Sequence, residues 1–213
     1  MITETRQRQF NKKQYEMLTR CSEKGDLIGW NEWRKNKKEV PILLEGAELG
    51  GVNLQGADLS KVDLADAELW KADLRGAKLQ YTNLKGANLL NADLEGAELL
   101  KADLEDAELW KANLKGAELL EANLKNAELI WANLEGADLT RANLNGADLW
   151  KADLRGAKFV AVIVNAETFI WCCEFDSLTD FTGMKVDLAR IEPRLKESLR
   201  NLIEIKILPQ RSM

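Results

Sequence analysis

Residues able to do acid–base or metal chemistry are abundant in this chain but badly placed for it. It holds 35 aspartates and glutamates and not one histidine. The missing imidazole removes the commonest general base and the commonest transition-metal ligand. Serine, cysteine and lysine nucleophiles are left with no histidine to activate them. The cysteines are Cys21, Cys172 and Cys173, two adjacent and one distant. That spacing gives neither a zinc site nor a disulfide framework, and free thiols fit a reducing compartment. Asp103 with Asp106 could hold Ca²⁺ weakly, but no Asp-x-Asp-x-Asp-Gly loop surrounds them. Paired catalytic acids need a cleft that gives each a different environment. Here the acids recur on a regular, solvated lattice. Neither catalysis, a metal nor any other cofactor is expected.

The lattice is set by a period of five. Leucine occupies Leu44, Leu49, Leu54, Leu59 and every fifth position through Leu154, and Phe159 and Val164 continue the series. Two residues before each leucine sits a small residue, usually alanine, with Val52, Val62 and Thr82 as variants. A period of five suits neither a helix nor a simple strand. It suits a chain that turns a corner every five residues. With the leucine at position i, residues i and i−2 point into the coil and residue i−1 points out. Residues i+1 and i+2 make the corner. Four sides close a square coil of about 20 residues, and coils stack about 4.8 Å apart by parallel β bridges. A residue larger than alanine at i−2 would overpack the wall.

This pattern resembles the pentapeptide-repeat family, on residues 42–164. The resemblance implies an all-β solenoid, a right-handed quadrilateral β-helix. Beyond Val164 the repeat degrades. Phe169 keeps the spacing, Glu174 stands where leucine is due, and Phe175 and Phe181 indicate a slipped register. The expected organisation is an N-terminal helical cap (1–41), the β-helix (42–164), an irregular final coil (165–188) and a C-terminal capping helix with tail (189–213). The C-terminal helix is read from Leu195, Leu199, Leu202 and Ile203 at helical spacing. Phe10, Tyr15, Leu18, Leu27, Ile28, Trp30 and Trp33 indicate a pair of short helices before the first coil. Both ends need covering, because an open β-helix end is an unpaired edge.

Stepping at 20 residues places outward positions in columns. One i+1 column reads Gly50, Trp70, Leu90, Trp110, Ile130, Trp150, with Trp131 beside Ile130. A contiguous exposed apolar strip marks an interaction surface. Leu100 and Leu120 are expected to join it from the next corner. A homodimer is the simplest occupant, and two antiparallel rods are its simplest closed form. The strip's alternatives are coverage by the terminal helices, or service as a stabilising ladder. A second column, Gln55, Arg75, Glu95, Lys115, Glu135, Arg155, alternates in sign and predicts a salt-bridge ladder. The position beside it is glycine throughout, from Gly56 to Gly156 in steps of 20, which predicts a turn residue with positive φ. The most acidic face holds Asp63, Asp66, Asp103, Glu105 and Asp106.

Charge divides the functional readings. Residues 1–40 carry +4, residues 41–165 carry −8 and residues 166–213 carry −1. An acidic rod is not expected to bind nucleic acid directly. Some pentapeptide-repeat proteins associated with quinolone resistance mimic DNA and bind a type II topoisomerase. The resemblance gives that as the alternative function. It needs a nearly continuous negative potential, and here Lys78, Lys85, Lys125 and Lys158 interrupt the acidic surface. The leading expectation is a non-catalytic binding or scaffold protein whose protein partner the sequence does not name. The start, MITETRQRQF, lacks the apolar core of a secretory signal, and no run nears the ~20 apolar residues of a membrane span. A cytoplasmic location is expected.

Overall fold

A leucine every fifth residue has one way to be buried every time, and the computed structural model adopts it. The structure describes residues 10–165 except 38, together with 167–170, 173, 179–180, 185–186 and 190–191. From Leu44 to Leu154 every leucine of the series is fully buried, and so are Phe159 and the alanines two residues before. The chain winds as a right-handed four-cornered β-helix with this leucine–alanine column as its core.

Each corner is a four-residue turn. The N–H of Ala57 donates to the carbonyl of Leu54 at 3.0 Å, and the same i+3 to i bond recurs along the rod. From Gly46 to Ala161, residue i+2 of each such turn has positive φ. Gly56 sits at φ 66°, but so do non-glycine residues at other corners, among them Lys71 at 55° and Trp131 at 60°. The left-handed corner is therefore a property of the coil and not only of its glycine column.

Successive coils are bonded at a 20-residue step. Leu54 N–H donates to Asp73 C=O at 2.7 Å, Gly56 N–H to Arg75 C=O at 2.9 Å, and Lys78 N–H to Ala57 C=O at 2.9 Å. The outward residue i−1 makes the bridge, as in Asn53 with Asp73 and Asp73 with Asp93. Only where two residues pair in succession do named strands appear. β1 (Ile42–Leu43) pairs in parallel with β2 (Val62–Asp63).

Helices α1 (Lys12–Glu23) and α2 (Ile28–Asn36) cover the first coil, as the apolar residues before it predict. Asn11 caps α1, its side chain accepting from Gln14 N–H at 3.2 Å. Their side chains supply what a preceding coil would have supplied. In the stack, an i−1 N–H donates to an i−2 carbonyl, and an i−1 or i+1 carbonyl accepts from the coil before. Asp58 in the first coil has no coil before it. Its N–H donates instead to Asn31 Oδ1 at 2.8 Å, and its carbonyl accepts from the buried indole of Trp30 at 2.9 Å and from Arg34 Nε at 3.2 Å. Arg34 Nη2 donates to Ser60 C=O, and Tyr15 Oη donates to Glu48 C=O at 2.9 Å. At Asp58, Ser60 and Glu48 the edge is answered by the cap's own side chains.

The far end slips by single residues. Thr82, at an i−2 position, donates its hydroxyl to the Leu59 carbonyl 23 residues back. Thr168 and Cys173 make the same bond at 24 residues, and Thr179 at 25. One residue is therefore inserted before Thr168 and another between Cys173 and Thr179. Strand pairing gives the same account. β3 (Ile163–Val164) pairs with β5 (Lys185–Val186) at a step of 22, and β4 (Phe169–Ile170) with β6 (Arg190–Ile191) at 21. This corrects two expectations. The buried place after Val164 falls at Ile170, six residues on where the repeat predicts five, because of the inserted residue. Arg190 and Ile191, expected in the C-terminal helix, instead pair as a strand with the otherwise open edge of β4. The remainder of the expected C-terminal helix, and Glu174, Phe175 and Phe181, lie outside the described residues.

Candidate interaction surface

The i+1 column at residues 50, 70, 90, 110, 130 and 150 stands on one corner of the rod. Trp70, Leu90 and Trp110 are 42%, 38% and 41% exposed, and Ile130 and Trp150 are half-buried. The helices α1 and α2 hold the first coil and leave the strip uncovered. The indoles are fixed by local contacts. Trp131 meets Trp150 edge to face, with centroids 5.9 Å apart at 78°. Lys151 Nζ lies over both rings, 4.3 and 4.4 Å from their centroids. Trp110 Nε1 donates to Glu128 Oε2 at 2.5 Å. Such a surface is apolar, stiff and already ordered, so little rotamer entropy is lost when it is covered.

Leu100 and Leu120 do not belong to this surface. Corners come every five residues and a coil has four, so positions ten apart fall on opposite corners. Leu100 and Leu120 stand diagonally across the rod, half-buried in the column of Gln80 and Thr140.

The acidic face is assembled as a patch but is neutralised within itself. Glu105 is held between Lys125 at 3.1 Å and Lys85 at 3.4 Å, and Lys85 also lies 3.8 Å from Asp106. The ammonium of Lys125 holds the Glu105 carboxyl below its usual range, and Glu105 raises Lys125 in return. Asp63 and Asp103 each accept an amide N–H at 2.8 Å, from Asn83 and Asn123 of the next coil. Asn126 donates to Asp106 at 3.0 Å.

The sign-alternating column forms a ladder only at its lower end. Lys115 meets Glu135 at 3.0 Å, and Arg155 meets Glu135 at 3.8 Å. Arg75, like Arg155 with Asp153, turns back onto the aspartate two residues before it, Asp73. Its Nε and Nη2 hold the two carboxylate oxygens at 2.9 and 2.6 Å. It also reaches Asp93 at 3.6 Å and so separates two stacked aspartates. A bidentate pair in the same coil outcompetes a single contact to the next coil.

Among the described residues no group of histidine, cysteine or carboxylate side chains is arranged to hold a metal, and no helix is long and apolar enough to cross a membrane.

A family model described as pentapeptide repeats matches in eight copies, over residues 43–80, 72–110, 102–141 and 122–160. Solved structures similar to the chain include a pentapeptide repeat protein from the thylakoid lumen of Arabidopsis thaliana. It is 34% identical over 43% of this chain and 67% of that one, with a TM-score of 0.38. Another is HetL from the cyanobacterium Nostoc sp. strain PCC 7120, a pentapeptide repeat protein involved in heterocyst differentiation regulation. It is 34% identical over 70% of each chain, with a TM-score of 0.32. A third is QnrB1, a plasmid-mediated fluoroquinolone resistance protein. It is 16% identical over 77% of this chain and 94% of that one, with a TM-score of 0.33. No curated protein matches the sequence.

Proposed function

This chain belongs to the pentapeptide-repeat family, and from that premise we propose that it is a non-catalytic protein-binding scaffold acting through the apolar strip. The carrying observation is the run of Trp70, Leu90 and Trp110, each more than a third exposed on consecutive coils of a rigid rod. Aromatic side chains held in place on a stiff support are the commonest energetic anchors of protein interfaces. Less than half of each indole's surface is still exposed, so covering one buries less than half of the roughly 150–250 Å² of a whole aromatic side chain. The chain holds no histidine to activate a nucleophile, which supports the non-catalytic reading.

The alternative, a DNA-like acidic rod occupying a type II topoisomerase, is disfavoured by Lys85 and Lys125. They lie within ion-pair distance of Glu105, at the centre of the most acidic face. A phosphate mimic would present that charge unanswered.

The test is affinity capture with the wild-type chain and with a Trp70→Gln, Trp110→Gln, Trp150→Gln chain, read by mass spectrometry. A protein held by the first and lost by the second is the expected result. Equal capture by both chains sinks the assignment of the strip.

A further inference from the structure

The strip is bordered by two charged columns of opposite sign. Two residues before each apolar position run Glu48, Glu68, Asn88, Glu108, Glu128 and Asp148, joined by parallel bridges. One residue after it run Lys71, Asn91, Lys111, Trp131 and Lys151, all at positive φ. Among the described residues, no ion pair links these two columns or ties either to another part of the chain. Two other corners differ. Glu121 lies between Lys101 at 3.2 Å and Arg141 at 3.7 Å, and Glu105 lies between Lys85 and Lys125. Beside the strip, Glu108, Glu128 and Asp148 stack on consecutive coils with no cation among them. Like charges one coil apart repel. The lysines that would relieve them stand on the far side of the tryptophans.

We infer that the occupant of the strip is a second copy of this chain, lying alongside in parallel and in register. The inference rests on the reading of the strip as an interaction surface and names its partner. Two rods can face each other through this strip across either of two kinds of two-fold axis. An axis perpendicular to the rods makes them antiparallel. It sets acid column on acid column and lysine column on lysine column. An axis running along the rods makes them parallel, and each acid column then faces the other copy's lysine column. The antiparallel form expected from simplicity alone is the one that charge opposes.

An axis along the rods also forbids any shift between coils, so each row meets its own row. The rows match. Glu68, Trp70 and Lys71 form one, and there Glu68 meets the partner's Lys71 and Lys71 meets the partner's Glu68. Glu108 with Lys111, and Asp148 with Lys151, repeat this at 40-residue steps. The row between the first two is Asn88, Leu90 and Asn91, where amide faces amide. The row of Glu128 offers the indole N–H of Trp131 in the place of an ammonium. Carboxylates and ammoniums that have no ion-pair partner within one chain gain one between two: Glu68 with Lys71, Glu108 with Lys111 and Asp148 with Lys151. Like-charge juxtaposition across an interface is strongly disfavoured, so the columns fix direction as well as partner.

Sedimentation velocity and cross-linking test this. Wild type should sediment as a dimer at low micromolar concentration. Lys71→Glu, Lys111→Glu, Lys151→Glu should weaken self-association by about tenfold or more. Glu68→Lys, Glu108→Lys, Asp148→Lys should do the same, and an equal mixture of the two chains should form a heterodimer. Zero-length carbodiimide coupling of light and heavy isotope-labelled wild type should join Glu108 of one copy to Lys111 of the other, and Asp148 to Lys151. A wild-type monomer at tens of micromolar overturns the pairing, as does a dimer with no inter-copy links between the columns. Where a reversed chain fails to fold, the wild-type cross-link map decides alone. A monomeric wild type leaves the strip open to a foreign protein, which the capture experiment judges separately.

Discussion

The indole of Trp70 lies across Gly50, one coil above it in the same column, so closely that a Cβ at Gly50 would overlap the ring. Gly50 is not at positive φ, so its need for glycine is steric and comes from the tryptophan. Gly50→Ala should push the indole outward and shift its N–H resonance. The fold should remain, with stability changed by no more than about 0.5 kcal/mol, as is usual for surface sites. An unmoved resonance would show that the ring is not seated there.

Arg34 is buried against the first coil, with its Nε on the Asp58 carbonyl and its Nη2 on the Ser60 carbonyl. Burial pulls its pKa below the usual guanidinium value. Arg34→Met keeps most of the volume and removes the donors. It should lower unfolding free energy by about 1.5–3 kcal/mol, the range for hydrogen bonds to a charged group. Urea denaturation measures this, and an unchanged midpoint would mean that the cap does not hold the edge.

Trp70→Gln, Trp110→Gln, Trp150→Gln together should leave the coil folded, because no member of the leucine–alanine core is touched. Far-UV circular dichroism should be nearly unchanged. Unfolding of this chain would make the strip a structural ladder, stabilising by cross-strand packing at about 0.2–1 kcal/mol per pair.

Hydrogen bonds from Arg75 hold the Asp73 carboxyl below its usual range, and Arg155 does the same for Asp153. A depressed folded-state pKa gives stability above the unfolded value, about 3.9 for aspartate. That stability is lost as pH falls through the folded value. Wild type should therefore exceed Arg75→Gln, Arg155→Gln in Tm above about pH 4, and the gap should close on acidification. High salt should also narrow it, since both pairs are solvent-exposed. A gap that stays constant from pH 7 to pH 2 would remove these pairs as its cause.

A supercoiling assay addresses the topoisomerase alternative. No inhibition of a type II topoisomerase, and no protection from a quinolone, is expected at low micromolar protein. Either effect would show that an acidic rod tolerates the Lys85–Glu105–Lys125 cluster and still passes for DNA.

The core was legible because it rests on periodicity alone. Leu54 and Ala57 are inward for the same reason as Leu114 and Ala117. Positive φ was read at the glycine column but not at Lys71 or Trp131, because propensity argues against those residues there and the coil's geometry overrides it. The turn of Arg75 onto Asp73 was hidden for another reason. A 20-residue step shows which residues are stacked, but not that a bidentate partner within one coil wins. The placing of Leu100 and Leu120 follows from counting corners: ten residues are two corners, which is the opposite edge and not the next one. The inserted residues near Thr168 and Thr179 left a weaker mark. The small i−2 position there is filled by hydroxyl and thiol side chains, which bond the carbonyl that alanine leaves alone.

The cap also sets how large an assembly of this protein can grow. A bare coil end is a template onto which another rod could stack, and repetition of that contact would spin a filament. Asp58 has its N–H and carbonyl already occupied by Asn31, Trp30 and Arg34, so on that side the end offers no free edge to a second rod. Company on that side must stand beside the molecule and not above it.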